Sequence, residues 1–428
     1  MIAFRLRVLV AAAALVAGIM TGVGPAADDS PLKEAALKLN DLKDTDAMQE
    51  KLTELLKDKE AAKKLVQAAA KAHKEAKDEK PFNYNAALVL AKVAHNVKSY
   101  EPAELFYEAA VNLSTKSKNG EDMARAYEGW WDLYWEQKKY DTAEDVARKA
   151  LDAKGGKGFE NFKPLVLEKL VQAKAKQGET DEALRMAEGL VQLDKGGWYF
   201  LQLKGWVLRE AGKTDDAITT YEDVLDRLDE AKELKDDART RIKRNVRYML
   251  SGLHVDNKNV EKAAKQLQML IDDEPERATY YNDLGFIWAD HDKKLDESEK
   301  LIRKALELDS KERQKLLTEG KNLTPDDVKR LKRENAAYLD SLGWVLYKQG
   351  KHEEALKYLE RAAQDEEEGN HIEIWDHWAD ALVALGKKKE AVGVWQKALK
   401  FEDVSPRDKE RRKKVTQKMN KVKDELDK

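Results

Sequence analysis

What this chain lacks limits its chemistry first. Its 428 residues contain no Cys, which excludes disulfides, a thiolate nucleophile, cysteine-ligated metals and a lipidated N-terminal Cys. Its seven His are scattered. His371, Glu373 and His377 lie close together, and Glu373 and His377 share a helix face. The two-His spacing of a helical metal site is absent, however, so these side chains read as ordinary surface residues. The Asp290, His291 and Asp292 turn reads the same way. No Gly-rich phosphate loop follows a strand, because no strand is legible, and no Ser sits in an elbow motif. The sequence predicts no catalytic residue, no metal and no cofactor, and hence a non-enzymatic protein.

Aromatic side chains offer more. Trp130, Trp131, Tyr134 and Trp135 crowd one helix, where core packing is their default role. Trp206, Phe286 and Trp344 each follow directly after a small residue on a helix. Tyr199, Tyr248 and Tyr347 fall on the same side, together with Asn282, Asp340, Asp376 and Asp380.

The elements that position these residues are helical. Charged residues make up 37% of the chain and Pro only 8 residues, a balance that favours helix over sheet. The net charge of −3 gives no global field for nucleic acid or an anionic membrane. The length is long for one core, and suits either two or three domains or an elongated array. Residues 1–27 have the three parts of a secretory signal: Arg5 and Arg7, an apolar run from Val8 to Met20, then small residues up to Ala26 and Ala27. The alternative is an uncleaved anchor. The reading is an exported protein, periplasmic or secreted, with no stable membrane span after cleavage.

One phrase recurs along the chain, a Gly, a polar turn, an acidic residue and Ala. It runs Gly178 to Ala183, Gly212 to Ala217, Gly350 to Ala355 and Gly386 to Ala391. Gly suits the left-handed backbone just past a helix end, and Thr180 and Thr214 are candidate caps for the helix that follows. Before the third turn, Leu339, Leu342 and Leu346 share a face with Gly343, where a missing side chain lets a second helix approach. Ala355, Leu359 and Ala362 form the answering stripe. With the small residue of the second helix as a ruler, repeats fall at Ala103, Ala143, Ala183, Ala217, Ala263, Ser298, Ala355 and Ala391.

These slots resemble the tetratricopeptide repeat. The resemblance implies an all-α fold, a right-handed superhelical solenoid of helix-turn-helix repeats, about eight of them over residues 84–405. The last three repeats, carrying Asp283 to Phe286, Asp340 to Trp344 and Asp376 to Asp380, look like an exported bacterial set known mostly as envelope repeat proteins. Lys174, Lys204, Arg247 and His254 depart from the apolar pattern. Residues 310–335 read as a charged helical insertion. Residues 28–80 read as an N-terminal helical cap or a degenerate repeat, with Thr45 as a helix cap. Residues 406–428 read as a charged, solvated capping helix, with a basic contact arm as the sharper alternative.

In the family this resembles, the aromatic and acidic side described above lines a concave groove. The implied function is a protein-interaction scaffold that holds a partner protein or extended peptide at Tyr199, Trp206, Tyr248, Asn282, Phe286, Asp340, Trp344, Tyr347, Asp376 and Asp380. The alternatives are a cell-wall polymer stacking on the same aromatics, or a metal-dependent enzyme subunit using His371 and His377. The matched Lys and Asn pattern that clamps a chaperone's C-terminal carboxylate is absent.

Overall fold

The computed structural model describes residues 30–76, 81–155, 158–232, 234–320, 323, 325–402 and 406–427. The secretory-signal reading of residues 1–27 lies outside them. Among the described residues every regular element is helical, and no helix is long and apolar enough to cross a membrane. The chain divides into two compact units, Met1–Gln192 and Leu193–Lys428.

In the first unit, helices α1 (Ser30–Leu37), α2 (Thr45–Leu55) and α3 (Lys59–Glu75) precede the repeats. Helix pairs follow: α4 (Tyr84–Asn96) with α5 (Tyr100–Ser117), α6 (Gly120–Glu136) with α7 (Tyr140–Asp152), and α8 (Lys163–Lys176) with α9 (Thr180–Leu193). The second unit holds α10 (Trp198–Glu210), α11 (Thr214–Glu230), α12 (Asp236–Asp256), α13 (Val260–Asp273), α14 (Ala278–Asp290) and α15 (Leu295–Glu319). It continues with α16 (Pro325–Lys332), α17 (Ala336–Lys348), α18 (His352–Ala363), α19 (Ile372–Ala384), α20 (Lys388–Ala398) and α21 (Pro406–Leu426).

The ruler residues explain the pairing. Ala103, Ala143, Ala183, Ala217, Ala263, Ser298, Ala355 and Ala391 each stand fourth in the second helix of a pair, and all are at 0% exposure. A larger side chain there would hold the two helices apart. The same economy governs Gly343, where a Cβ would meet Leu359 Cγ at 2.5 Å and the Leu359 backbone nitrogen at 3.2 Å.

Left-handed residues close the turns. Gly178, Gly212, Gly350 and Gly386 have positive φ, as the recurring phrase predicts, but so do Lys98, Lys138 and Lys258 at the equivalent place. The following amide reaches back five residues each time, as from Lys351 to Leu346, Lys139 to Tyr134 and Asn259 to His254. That bond satisfies a carbonyl the helix leaves open. Three expected caps are corrected. Thr180 is the first helical residue of α9 and not its cap. Asp44, not Thr45, caps α2 by accepting from the Ala47 amide at 2.9 Å. Thr214 is the first helical residue of α11, and the cap position is Lys213, which makes no side-chain cap bond.

The insertion after Leu308 is mostly an extension of α15, with α16 packed back on it and Arg313 Nη1 donating to the Leu331 carbonyl at 3.2 Å. The charged stretch around Asp226 to Asp237 lengthens α11 and opens α12. Neither disturbs the layer in which α14, α17, α19 and α21 pack side by side.

Candidate functional site

Helices α14, α17 and α19 share a local pattern. Each carries a small residue (Gly285, Gly343 or Ala379) against its second helix, a polar residue three before it and a large or charged one just after. Asn282 and Phe286, Asp340 and Trp344, and Asp376 and Asp380 therefore stand four apart on one helix face. Adjacent helices set these pairs beside one another.

His377 is the centre of the resulting cluster. It is fully buried, which corrects its reading as a surface histidine. Its Nδ1 lies 3.0 and 3.1 Å from the two Asp340 oxygens, and its ring stacks on Trp344 with centroids 4.0 Å apart. Tyr347 also stacks on Trp344, with centroids 5.1 Å apart, and the Phe286 ring lies 6.3 Å from His377. Trp344 Nε1 donates to Asp290 at 3.1 Å. Burial disfavours the imidazolium, but the charge and hydrogen bond of Asp340 outweigh it and raise the pKa of His377 above its ordinary value.

The neighbouring carboxylates meet basic side chains from α21. Asp376, 2% exposed, accepts from Trp395 Nε1 at 2.9 Å, from Lys418 Nζ at 2.9 and 3.0 Å, and from Arg411 Nη1 at 3.2 Å. Lys418 also donates to Asp380 at 2.6 Å. Arg411 bonds Glu373 and lies 3.3 Å from His377 Nε2. Burial opposes the charge of Asp376, yet Lys418, His377 and Arg411 hold its carboxyl below the ordinary range. Burial and the adjacent Asp376 charge push Asp380 up. His371, the other residue of the notional metal pair, caps α19 by accepting from the Glu373 amide and faces Asp408 at 3.5 Å. Among the described residues no group of three or more His, Asp or Glu side chains is arranged to hold a metal.

Helix α21 does not simply continue the layer at its far edge but lies over it. From α12 through α14, α17 and α19 to α21 is four helix steps, which in a flat layer would span roughly 32–40 Å at 8–10 Å each. Yet Arg407, on the first turn of α21, hydrogen-bonds Asp256 at the end of α12. The charged C-terminal helix is therefore not simply solvated but packs on the repeats through two of its edges. Val415, Met419 and Val422 bury against Ile372, Ala379, Leu382, Val394 and Trp395, while its basic edge faces the carboxylates.

The structure thus gathers Phe286, Asp340, Trp344, Tyr347, Asp376 and Asp380 around His377, and Asn282 is buried on α14, one turn before Phe286. Tyr248 is 40% exposed and donates to Asp283 at 2.7 Å. Tyr199 and Trp206 stand on α10, where Tyr199 packs edge-on against Trp198 and Phe200. They are not brought into the cluster. Sequence reasoning weighed His377, Glu373 and Asp290 only for a metal and read them as surface residues, and it did not bring Arg411 or Lys418 to this cluster. The signal was present in the four-residue pairs of successive repeats, whose facing positions must share partners.

Comparison with known proteins follows the repeats. Models described as tetratricopeptide repeat match residues 169–232, 248–313 and 335–366. A TPR repeat-containing protein of Pseudomonas aeruginosa is 32% identical over 131 residues, 30% of this chain but only 18% of that relative's length. Among solved structures, a tetratricopeptide repeat protein from Parabacteroides merdae is 14% identical with a TM-score of 0.45, covering 68% of this chain and 98% of that one. The human IFIT1 dimer with m7Gppp-AAAA is 15% identical with a TM-score of 0.47, covering 92% of this chain and 86% of that one. Neither structural likeness bears on function.

Proposed function

We propose that this chain, an all-α protein carrying tetratricopeptide repeats, is a non-enzymatic protein-interaction scaffold of the cell envelope that binds a partner protein on the concave face of its second unit. One observation carries the reading. The face made by α14, α17 and α19 holds, through Asp376, Asp380 and Glu373, a helix that belongs to no repeat. A surface that seats one helix through aimed carboxylates and an apolar strip has the chemistry of a protein-binding groove. The envelope location is supported by the signal-like pattern of residues 1–27. Trp344, stacked with both Tyr347 and His377 and 9% exposed, offers little open ring to a sugar, so the protein partner is preferred over a cell-wall polymer.

The test is capture from envelope extract by the full chain and by Glu373→Lys with Asp380→Lys. The wild-type chain should retain one dominant protein that the charge-reversed chain loses, with both equally helical by circular dichroism. Equal recovery on both would remove the groove from the account, and retention of sacculi with no protein would favour the polymer reading.

A further inference from the structure

Helix α21 is an unusual terminal element. At about 100° per residue, Arg407, Arg411 and Lys418 fall on one edge of the helix, with Val415, Met419 and Val422 directly beside them. The basic edge meets Asp256, Glu373, Asp376 and Asp380, and the apolar edge meets α19 and α20. Arg412, on a third side, bonds the carbonyls of Leu399 and Phe401 at the end of α20. The contact is thus divided between three apolar side chains and a row of ion pairs. That is a small apolar anchor for a helix of 21 residues.

The charges on the receiving face are specific to this occupant. Asp376 is nearly inaccessible beneath α21, and the cations that neutralise it, Lys418 and Arg411, come from that helix. The burial of His377 is shared by Arg411, which lies against its Nε2. Without α21 the face would present Glu373, Asp376, Asp380 and Asp340 with no opposing cation from the helix, beside an apolar strip of Ala379, Leu382, Val394 and Trp395. Such a face selects a cationic amphipathic helix by charge complementarity and by the register of its apolar positions.

We propose that the concave face of the second unit is a receptor for a basic amphipathic helix of a partner protein, and that α21 is its resident competitor. The partner helix carries Arg or Lys at positions i, i+4 and i+11 and apolar residues at i+8, i+12 and i+15, the pattern of Arg407, Arg411, Lys418, Val415, Met419 and Val422. Binding is exchange: the partner enters as α21 leaves, so the free chain keeps its acidic groove covered. This rests on the scaffold reading above and adds the chemistry of the partner and the control of access.

The test uses the full chain and a fluorescent peptide of residues 406–427. A tethered occupant competes at an effective concentration on the order of millimolar. The peptide should therefore bind an Arg411→Glu, Lys418→Glu chain at least tenfold more tightly than wild type, by fluorescence anisotropy. Equal affinity for both, or no binding to the variant, overturns the proposal. If the variant loses helical structure, hydrogen exchange on the wild-type chain decides. Amides of α21 should exchange at least tenfold faster than those of α19. Exchange of the two in step would make α21 a permanent cap and end the idea. The two readings fail separately: a captured partner with no peptide binding leaves the scaffold standing and removes the exchange.

Discussion

Replacing Gly343 with Leu tests whether close helix approach builds the face that carries Asp340 and Trp344. A Cβ at Gly343 would lie 2.5 Å from Leu359 Cγ, 2.7 Å from its Cδ2 and 3.2 Å from its backbone nitrogen. Leu359 is itself at 0% exposure and has nowhere to turn. Overpacking of this kind costs about 1–3 kcal/mol. Gly393 is the matched control, because it also lies inside a helix, α20, and a Cβ there meets nothing within 4 Å. Leu at either site gains about 0.8–1 kcal/mol of helix propensity over Gly. The difference between the two variants therefore isolates the clash, with Gly343→Leu lower by about 1–3 kcal/mol in urea unfolding. Coincident midpoints would refute the packing argument.

Lys174 stands 8% exposed in a core slot, with Nζ 2.6 Å from Glu179 and 3.2 Å from Glu144. Lys174→Ala should destabilise the first unit by about 1–3 kcal/mol, since Glu144 keeps Arg148 and Gln177 but loses one charged partner, and its urea midpoint checks this. Asp376→Asn removes the charge beneath α21 and should cost about 3–5 kcal/mol of local stability, seen as faster hydrogen exchange across residues 406–427. At high pH, burial matters through tyrosine. It pushes Tyr221 up to about 12 and also raises Tyr84, Tyr107 and Tyr248. Because the folded pKa lies above the unfolded value of about 10, stability is intact below about pH 10 and falls as pH rises toward 12. Tyr221 alone accounts for about 3 kcal/mol of that loss above about pH 12, of which about 1.4 kcal/mol is reached at about pH 11. Urea midpoints at about pH 8 and pH 11 measure it, and tyrosinate absorbance appearing fully at about pH 10 in the folded chain would contradict it.

The repeat spacing was legible because it is set by one small residue per pair, and all eight of those residues are fully buried. Turns at Lys98, Lys138 and Lys258 were not legible as left-handed. Nothing in a Lys announces a backbone state that costs it about 1–2 kcal/mol. The departures at Lys174 and His254 were visible as misfits, but one of the two carboxylates nearest Lys174 is Glu144, thirty residues earlier, on another helix. The groove residues from Phe286 to Asp380 were found by their place in the repeat. The role of His377 was hidden because its partner, Asp340, sits one repeat away. The contact arm was obscured by the charge of α21, since solvent and an acidic groove favour the same side chains.

The most direct measurement of the central claim is photo-crosslinking in cells from a benzoylphenylalanine placed at Tyr347, on the concave face, compared with one at Met269. Met269 is 37% exposed on α13, a second helix of its pair. The account predicts a discrete protein adduct from Tyr347, lost when Glu373 and Asp380 are made Lys, and none from Met269. No adduct at Tyr347, or the same adduct from both positions, would contradict it.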